Sequence, residues 1–145
     1  MAIGPPARDS AGRTLPYDDP RIEDNDAVLR FIDPQYHWVN DPNQDRWRVS
    51  SGLFCESSIP NGGMSVEVER LILSAGFTLE DRLPHDRCGI ARLVVGDLRD
   101  LHLAVGSDPL SENPYHAQVW GIRNSRRIRR ELAHLAEIVI EPKSF

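Results

Sequence analysis

The sequence predicts one α+β domain, built on a mainly antiparallel sheet with two helices. Three observations support this. Short apolar or alternating segments outnumber segments with helical periodicity. They follow one another through short turns rather than in strict strand–helix alternation. The chain has 145 residues, enough for one hydrophobic core and little more.

Residues 1–26 hold four prolines and six acids (Asp9, Asp18, Asp19, Glu23, Asp24 and Asp26) against Arg8, Arg13 and Arg21. Few apolar anchors offset the entropy of ordering them, so they read as an acidic, flexible tail. A second reading is a segment that docks on a partner or folds over the domain's own site. The domain is expected to occupy residues 27–145. Residues 28–32 read as a strand, stopped by Asp33-Pro34. Residues 35–45 are a loop with the turn signal Asn40-Asp41-Pro42-Asn43. Residues 46–54 alternate, with Trp47, Val49, Ser51 and Leu53 opposite Arg46, Arg48, Ser50, Gly52 and Phe54, and read as a strand.

A loop over residues 57–63 follows. Ser65 then reads as the N-cap of a helix, with Glu67 and Glu69 near its positive end. Val68, Leu71, Ile72 and Ala75 form its apolar face, and Gly76 is placed to stop it. Residues 79–87 are a polar connection. Residues 89–95 and 101–105 read as two buried strands, and residues 115–122 as an alternating one. Ser125 caps a last helix lined by Ile128, Leu132, Leu135 and Val139. Residues 138–140 either continue it or peel off as a short strand.

The net charge is −5, with 40% hydrophobic and 27% charged residues. These figures exclude a collagen-like chain, a long coiled coil and a wholly disordered one. No apolar run approaches the ~20 residues of a membrane helix. No secretion signal opens the chain, so a cytoplasmic address with free thiols at Cys55 and Cys88 is expected.

The candidate chemistry starts at Asn61-Gly62-Gly63-Met64-Ser65. A glycine turn entering a helix N-terminus would present free N–H groups to a phosphate or carboxylate. Arg48 and Ser50, with Ser51 and Arg30, would add charge and hydroxyls. His116, preceded by Asn113-Pro114, is the candidate proton carrier. Arg48, Ser50 and His116 would form the catalytic set; Arg30, Ser51, Gly62, Gly63, Ser65 and Asn113 would bind the ligand. The plainer alternative is a turn whose Arg48 pairs with an acid and a His116 that fixes its loop.

Three segments, Arg48-Val49-Ser50-Ser51-Gly52-Leu53-Phe54, Met64-Ser65-Val66 and Glu112-Asn113-Pro114-Tyr115-His116-Ala117, resemble as a set a family of small uncharacterised bacterial proteins. The resemblance spans about residues 29–142 and implies no activity. Arg30, Ser50-Ser51 and Gln118 also fall in the order of the Arg, Ser and late Gln of ADP-ribosyltransferases. The late Glu-x-Glu or Gln-x-Glu pair of those enzymes is missing.

His85-x-x-Cys88 has ligand-like spacing, and Cys55, His37 and His102 could complete a set. A second close pair is lacking, so no metal or cofactor is expected. Arg126-Arg127-Ile128-Arg129-Arg130 is the strongest charge feature, readable as a phosphate-contacting helix or a solvated face. The expected function is binding of an anionic, nucleotide-like or nucleic-acid ligand, with phosphate- or NAD-directed catalysis as an extension. The alternative is a non-catalytic interaction, immunity or accessory protein that uses the acidic tail or the basic helix on a protein partner.

Overall fold

The computed structural model describes residues 5–143. Its main sheet is six-stranded and wholly antiparallel. The strands are β1 (Ala27–Ile32), β4 (Met64–Val68), β5 (Gly89–Val94), β6 (Ala104–Ser107), β7 (His116–Trp120) and β8 (Glu137–Ile140), in the order β6-β7-β4-β1-β5-β8. A separate hairpin pairs β2 (Trp38–Asp41) with β3 (Arg46–Val49). Among the described residues three α-helices complete the fold: α1 (Glu69–Ser74), α2 (Val95–Asp100) and α3 (Arg126–Leu135). The α+β, mainly antiparallel class is as expected, with one helix more. No helix among the described residues is long and apolar enough to cross a membrane.

Alternation divides the sheet into two unlike faces. Val28, Ile32, Met64, Val66, Val68, Ala91, Leu93, Val105, Ala117 and Val119 are buried in the main core, together with Leu53, Phe54, Leu98 and Leu132. The other face carries a smaller cluster of Leu29, Ile72 and Ile90, with Tyr115 and Phe31 packed against it. Beside that cluster the same face turns polar. The register sets Ser65 opposite Gln118 and Glu67 opposite His116, so all four side chains share this side.

Several local expectations are overturned. Residues 64–68 are a central strand, not the start of a helix, and Val68 is the N-cap position of α1. Met64, Val66 and Val68 are buried on alternate positions between two partner strands, and that pairing overrides helical periodicity. The Gly62-Gly63 turn therefore feeds a strand, and the helix-terminus anion site expected at Ser65 is not formed. The alternation of residues 46–54 ends at Val49, where a short 3-10 turn at Ser51–Leu53 begins. Leu53 and Phe54 are both buried by that turn. The loop expected at residues 35–45 contains β2 and the hairpin turn. The strand expected at residues 101–105 starts later, because residues 95–100 are helical. Ser125 does cap α3, its hydroxyl accepting from the Ile128 N–H at 3.2 Å, and residues 137–140 do peel off as β8.

Residues 14–26 pack on the fold, ahead of the boundary expected at residue 27. Thr14, Asp19, Ile22 and Asp26 are buried. The Asp19 N–H donates to the Val105 carbonyl at 2.9 Å, and Asp18 accepts from the Val105 N–H at 3.0 Å. Arg99 donates to Asp18 and Asp24 and to the carbonyls of Asp19 and Ile22. Asp26 accepts two bonds from Arg70, at 2.8 and 3.2 Å. The acids that suggested a repelling, solvated arm are thus the groups that tie it down.

Candidate functional site

The expected site residues fall into two places. Ser65, Asn113 and His116 gather on the polar sheet face, with Gly63 at its end. Arg48, Ser50 and Ser51 lie on or just after the β2–β3 hairpin. No hydrogen bond or ion pair among the described residues joins the Arg48–Ser50 pair to His116. The three residues expected to form the catalytic set therefore have separate surroundings.

On the sheet face, His116 Nδ1 lies 2.7 Å from the Asp108 carbonyl oxygen and 3.5 Å from Asp108 Oδ2. Its Nε2 lies 3.2 Å from Ser65 Oγ. Asp108 is buried; its carboxylate accepts from Thr14 Oγ1 and from Gln118 Nε2, each at 2.7 Å. Gln118 in turn accepts the Gly63 N–H at 2.8 Å. A Cβ on Gly63 would stand 2.8 Å from the Val119 carbonyl oxygen, so only glycine allows this close approach.

One step along the strands, buried Glu67 holds Arg82 in two bonds of 2.7 and 2.8 Å and accepts from Asn113 Nδ2 at 2.9 Å. The Glu67 side-chain bonds and charge raise the Arg82 guanidinium above its ordinary value, against the opposing effect of burial. The guanidinium also stacks over Tyr115 at 4.9 Å, a cation–π contact. Asn113 is thus a brace for Glu67 and for the Tyr115 N–H.

Arg30 leaves the opposite side of β1, where regular pairing with β4 stops after Leu29. It donates to the Leu53 and Ser65 carbonyls at 3.0 and 2.9 Å. Burial draws its guanidinium below the ordinary value, with Cys55 acting in the other direction. Two of its donors are spent on backbone. Gly62 closes a turn onto the Ile59 carbonyl.

The second place is a cleft of about 860 Å³ between the hairpin and α3. Its lining includes Arg46, Trp47, Arg48, Ser51, Arg130 and His134. Arg48 is paired to Asp41 at 3.2 Å. The side chains of Arg46 and Arg130 make no hydrogen bond or ion pair among the described residues. Trp47 is 49% exposed, unlike Trp38 and Trp120, which are buried. A neighbouring hollow of about 370 Å³ is lined by Arg126, Arg127, Arg130, Glu131 and His134. Arg130 and His134 border both, so the two form one basic tract along α3. Ser50 stays outside the lining; its hydroxyl caps the 3-10 turn by accepting the Gly52 N–H.

Asp108, Thr14, Glu67 and Arg82 are site-forming groups that no local motif marks. Asp108 fell within a loop, Thr14 in the supposed tail, and Glu67 in a supposed helix turn. The available signal was strand alternation in Met64, Val66 and Val68, which puts Ser65 and Glu67 on one face. Cys88 and His85 do meet, at 3.3 Å. Among the described residues, no three His, Cys, Asp or Glu side chains are placed to hold a metal ion.

Comparison with family models, with curated proteins and with solved structures finds no match.

Proposed function

We propose that the protein binds an anionic, nucleotide-like or nucleic-acid ligand in the cleft between the β2–β3 hairpin and α3. One observation supports this reading: arginines free of carboxylate partners border a cavity that also holds an exposed indole. Arginine matches phosphate oxygens in a bidentate fork. An exposed Trp offers a flat apolar face on which a base can stack. The overall charge of −5 does not oppose this, because Asp18, Asp24 and Asp26 sit at Arg99 and Arg70, outside the lining of the cleft. That same pairing weakens the alternative in which acidic residues of the N-terminal segment dock a basic partner.

The test is titration of a fluorescein-labelled single-stranded oligonucleotide by anisotropy, with mononucleotides as competitors. Binding is expected to weaken at least about tenfold in Arg46→Ala, Arg130→Ala, and to fall as salt rises. An affinity that is unchanged in this double variant overturns the assignment. A basic-surface contact with a protein partner would instead leave the oligonucleotide unbound at every concentration tried.

A further inference from the structure

We propose that Ser65 is a nucleophile activated by His116, and that this pair takes the acyl group of an activated carboxylic ester. The site is independent of the basic cleft. It follows from the register of β4 and β7. Ser65 faces Gln118 and Glu67 faces His116, so Ser65 and His116 are diagonal neighbours on one face, within reach of each other's side chains.

The hydrogen bonds assign the proton. The Asp108 carbonyl at 2.7 Å can only accept, so His116 Nδ1 carries the hydrogen. Nε2 is then the acceptor, and the Ser65 hydroxyl at 3.2 Å is its donor. This is the order a general base requires: hydroxyl, imidazole, orienting group. Ser65 is exposed, whereas Asp108 is buried, so the attacking atom meets solvent and the orienting group does not.

The surrounding charge selects the substrate class. Asp108 Oδ2 stands 3.5 Å from Nδ1, and its other partners, Thr14 and Gln118, are neutral. Among the described residues no arginine or lysine pairs with it, so the carboxylate faces the imidazole and is placed to stabilise an imidazolium formed during reaction. Glu67, opposite His116, is neutralised by Arg82. Among the described residues that these bonds join, Arg82 is the one cation and Glu67 holds it, so a neutral acyl carbon is the fitting electrophile.

In the reaction, Ser65 Oγ bonds to the acyl carbon as its proton passes to Nε2. The bond from carbon to the leaving oxygen breaks, and that oxygen takes the proton from Nε2. Water, deprotonated by the same nitrogen, then attacks the acyl carbon. The carbon–Oγ bond breaks and the proton returns to Oγ. Ester and water give acid and alcohol, with no redox change.

The experiment treats the full chain with an alkyl fluorophosphonate and maps the adduct by mass spectrometry, with p-nitrophenyl acetate hydrolysis followed in parallel. The adduct is expected on Ser65, absent in Ser65→Ala, and formed at least about a hundredfold more slowly in His116→Gln. Labelling that is absent, or no faster than in the heat-denatured chain, overturns the proposal. So does equal labelling of a folded His116→Gln variant. If that variant fails to fold, the native-against-denatured comparison and Ser65→Ala decide alone.

Discussion

Arg30 and Ser65 are joined across the line where β1 and β4 part, the guanidinium donating to the Ser65 carbonyl at 2.9 Å. The same guanidinium reaches Leu53 at 3.0 Å. One side chain therefore closes a gap in the sheet and fixes the 3-10 turn beneath it. Arg30→Met keeps the stem but leaves two carbonyls without their donor. A loss of roughly 2–4 kcal/mol is expected, at about 1.5–3 kcal/mol for each hydrogen bond involving a charged group, partly recovered by water. Urea denaturation followed by Trp fluorescence checks it.

Glu67 and Arg82 give a second case. Arg82→Ala strands a buried carboxylate on Asn113 alone, and is expected to cost roughly 3–5 kcal/mol. Glu67→Gln with Arg82→Met removes both charges, and is expected to recover at least half of that loss. A double-mutant cycle in denaturant measures the difference. A double variant no more stable than Arg82→Ala would refute this account of the pair.

Asp26 provides the pH dependence. The side-chain bond from Arg70 is the main cause that holds its carboxyl below the usual range; burial works the other way, and the Glu23 N–H adds to the lowering. The folded value is depressed, so its stabilisation is complete above the unfolded value near ~3.9. It is lost as pH falls through the folded value. Arg70→Ala is expected to lower Tm at pH 7 and to flatten the decline in Tm below pH 4. Thermal melts at several pH values, for both chains, test the sign.

Gly63→Ala tests the turn. The added Cβ would lie 2.8 Å from the Val119 carbonyl and 3.1 Å from the Trp120 ring. A backbone atom on one side and a buried indole on the other leave little room to relax. Roughly 1–3 kcal/mol of destabilisation is expected, as for overpacking elsewhere. Loss of the Gly63 N–H bond to Gln118 should accompany it, visible as faster amide exchange at residue 63.

The class of the fold was legible because alternation is a local property: β1, β7 and the capped α3 all announce themselves in a few residues. What escaped depended on partners distant in sequence. Val68 satisfies a helical pattern with Leu71, Ile72 and Ala75, and only pairing with β1 and β7 makes residues 64–68 a strand. Asp18, Asp24 and Asp26 look repulsive in isolation, and Arg70 and Arg99, distant in sequence, convert them into anchors. Ser65, Asn113 and His116 stand out in the sequence as chemically able residues, each in its own neighbourhood. That Ser65 meets His116, rather than Ser50, is a matter of register. Arg48 and Ser51 do line a cavity, but its other wall is α3, which no local pattern joins to the hairpin.

The bonds between residues 18–19 and Val105 have a consequence for assembly. β6 is one of the two outer strands of the sheet, and an outer strand with free N–H and C=O groups invites pairing with another chain. At Val105 both groups are already taken, the N–H by Asp18 and the carbonyl by Asp19. The residues that occupy them lie more than eighty positions earlier in the chain. They leave the ribosome long before β6 does, so the seal is waiting when the vulnerable strand emerges. A chain that lacks them would be expected to form its sheet with that side open and to associate through it.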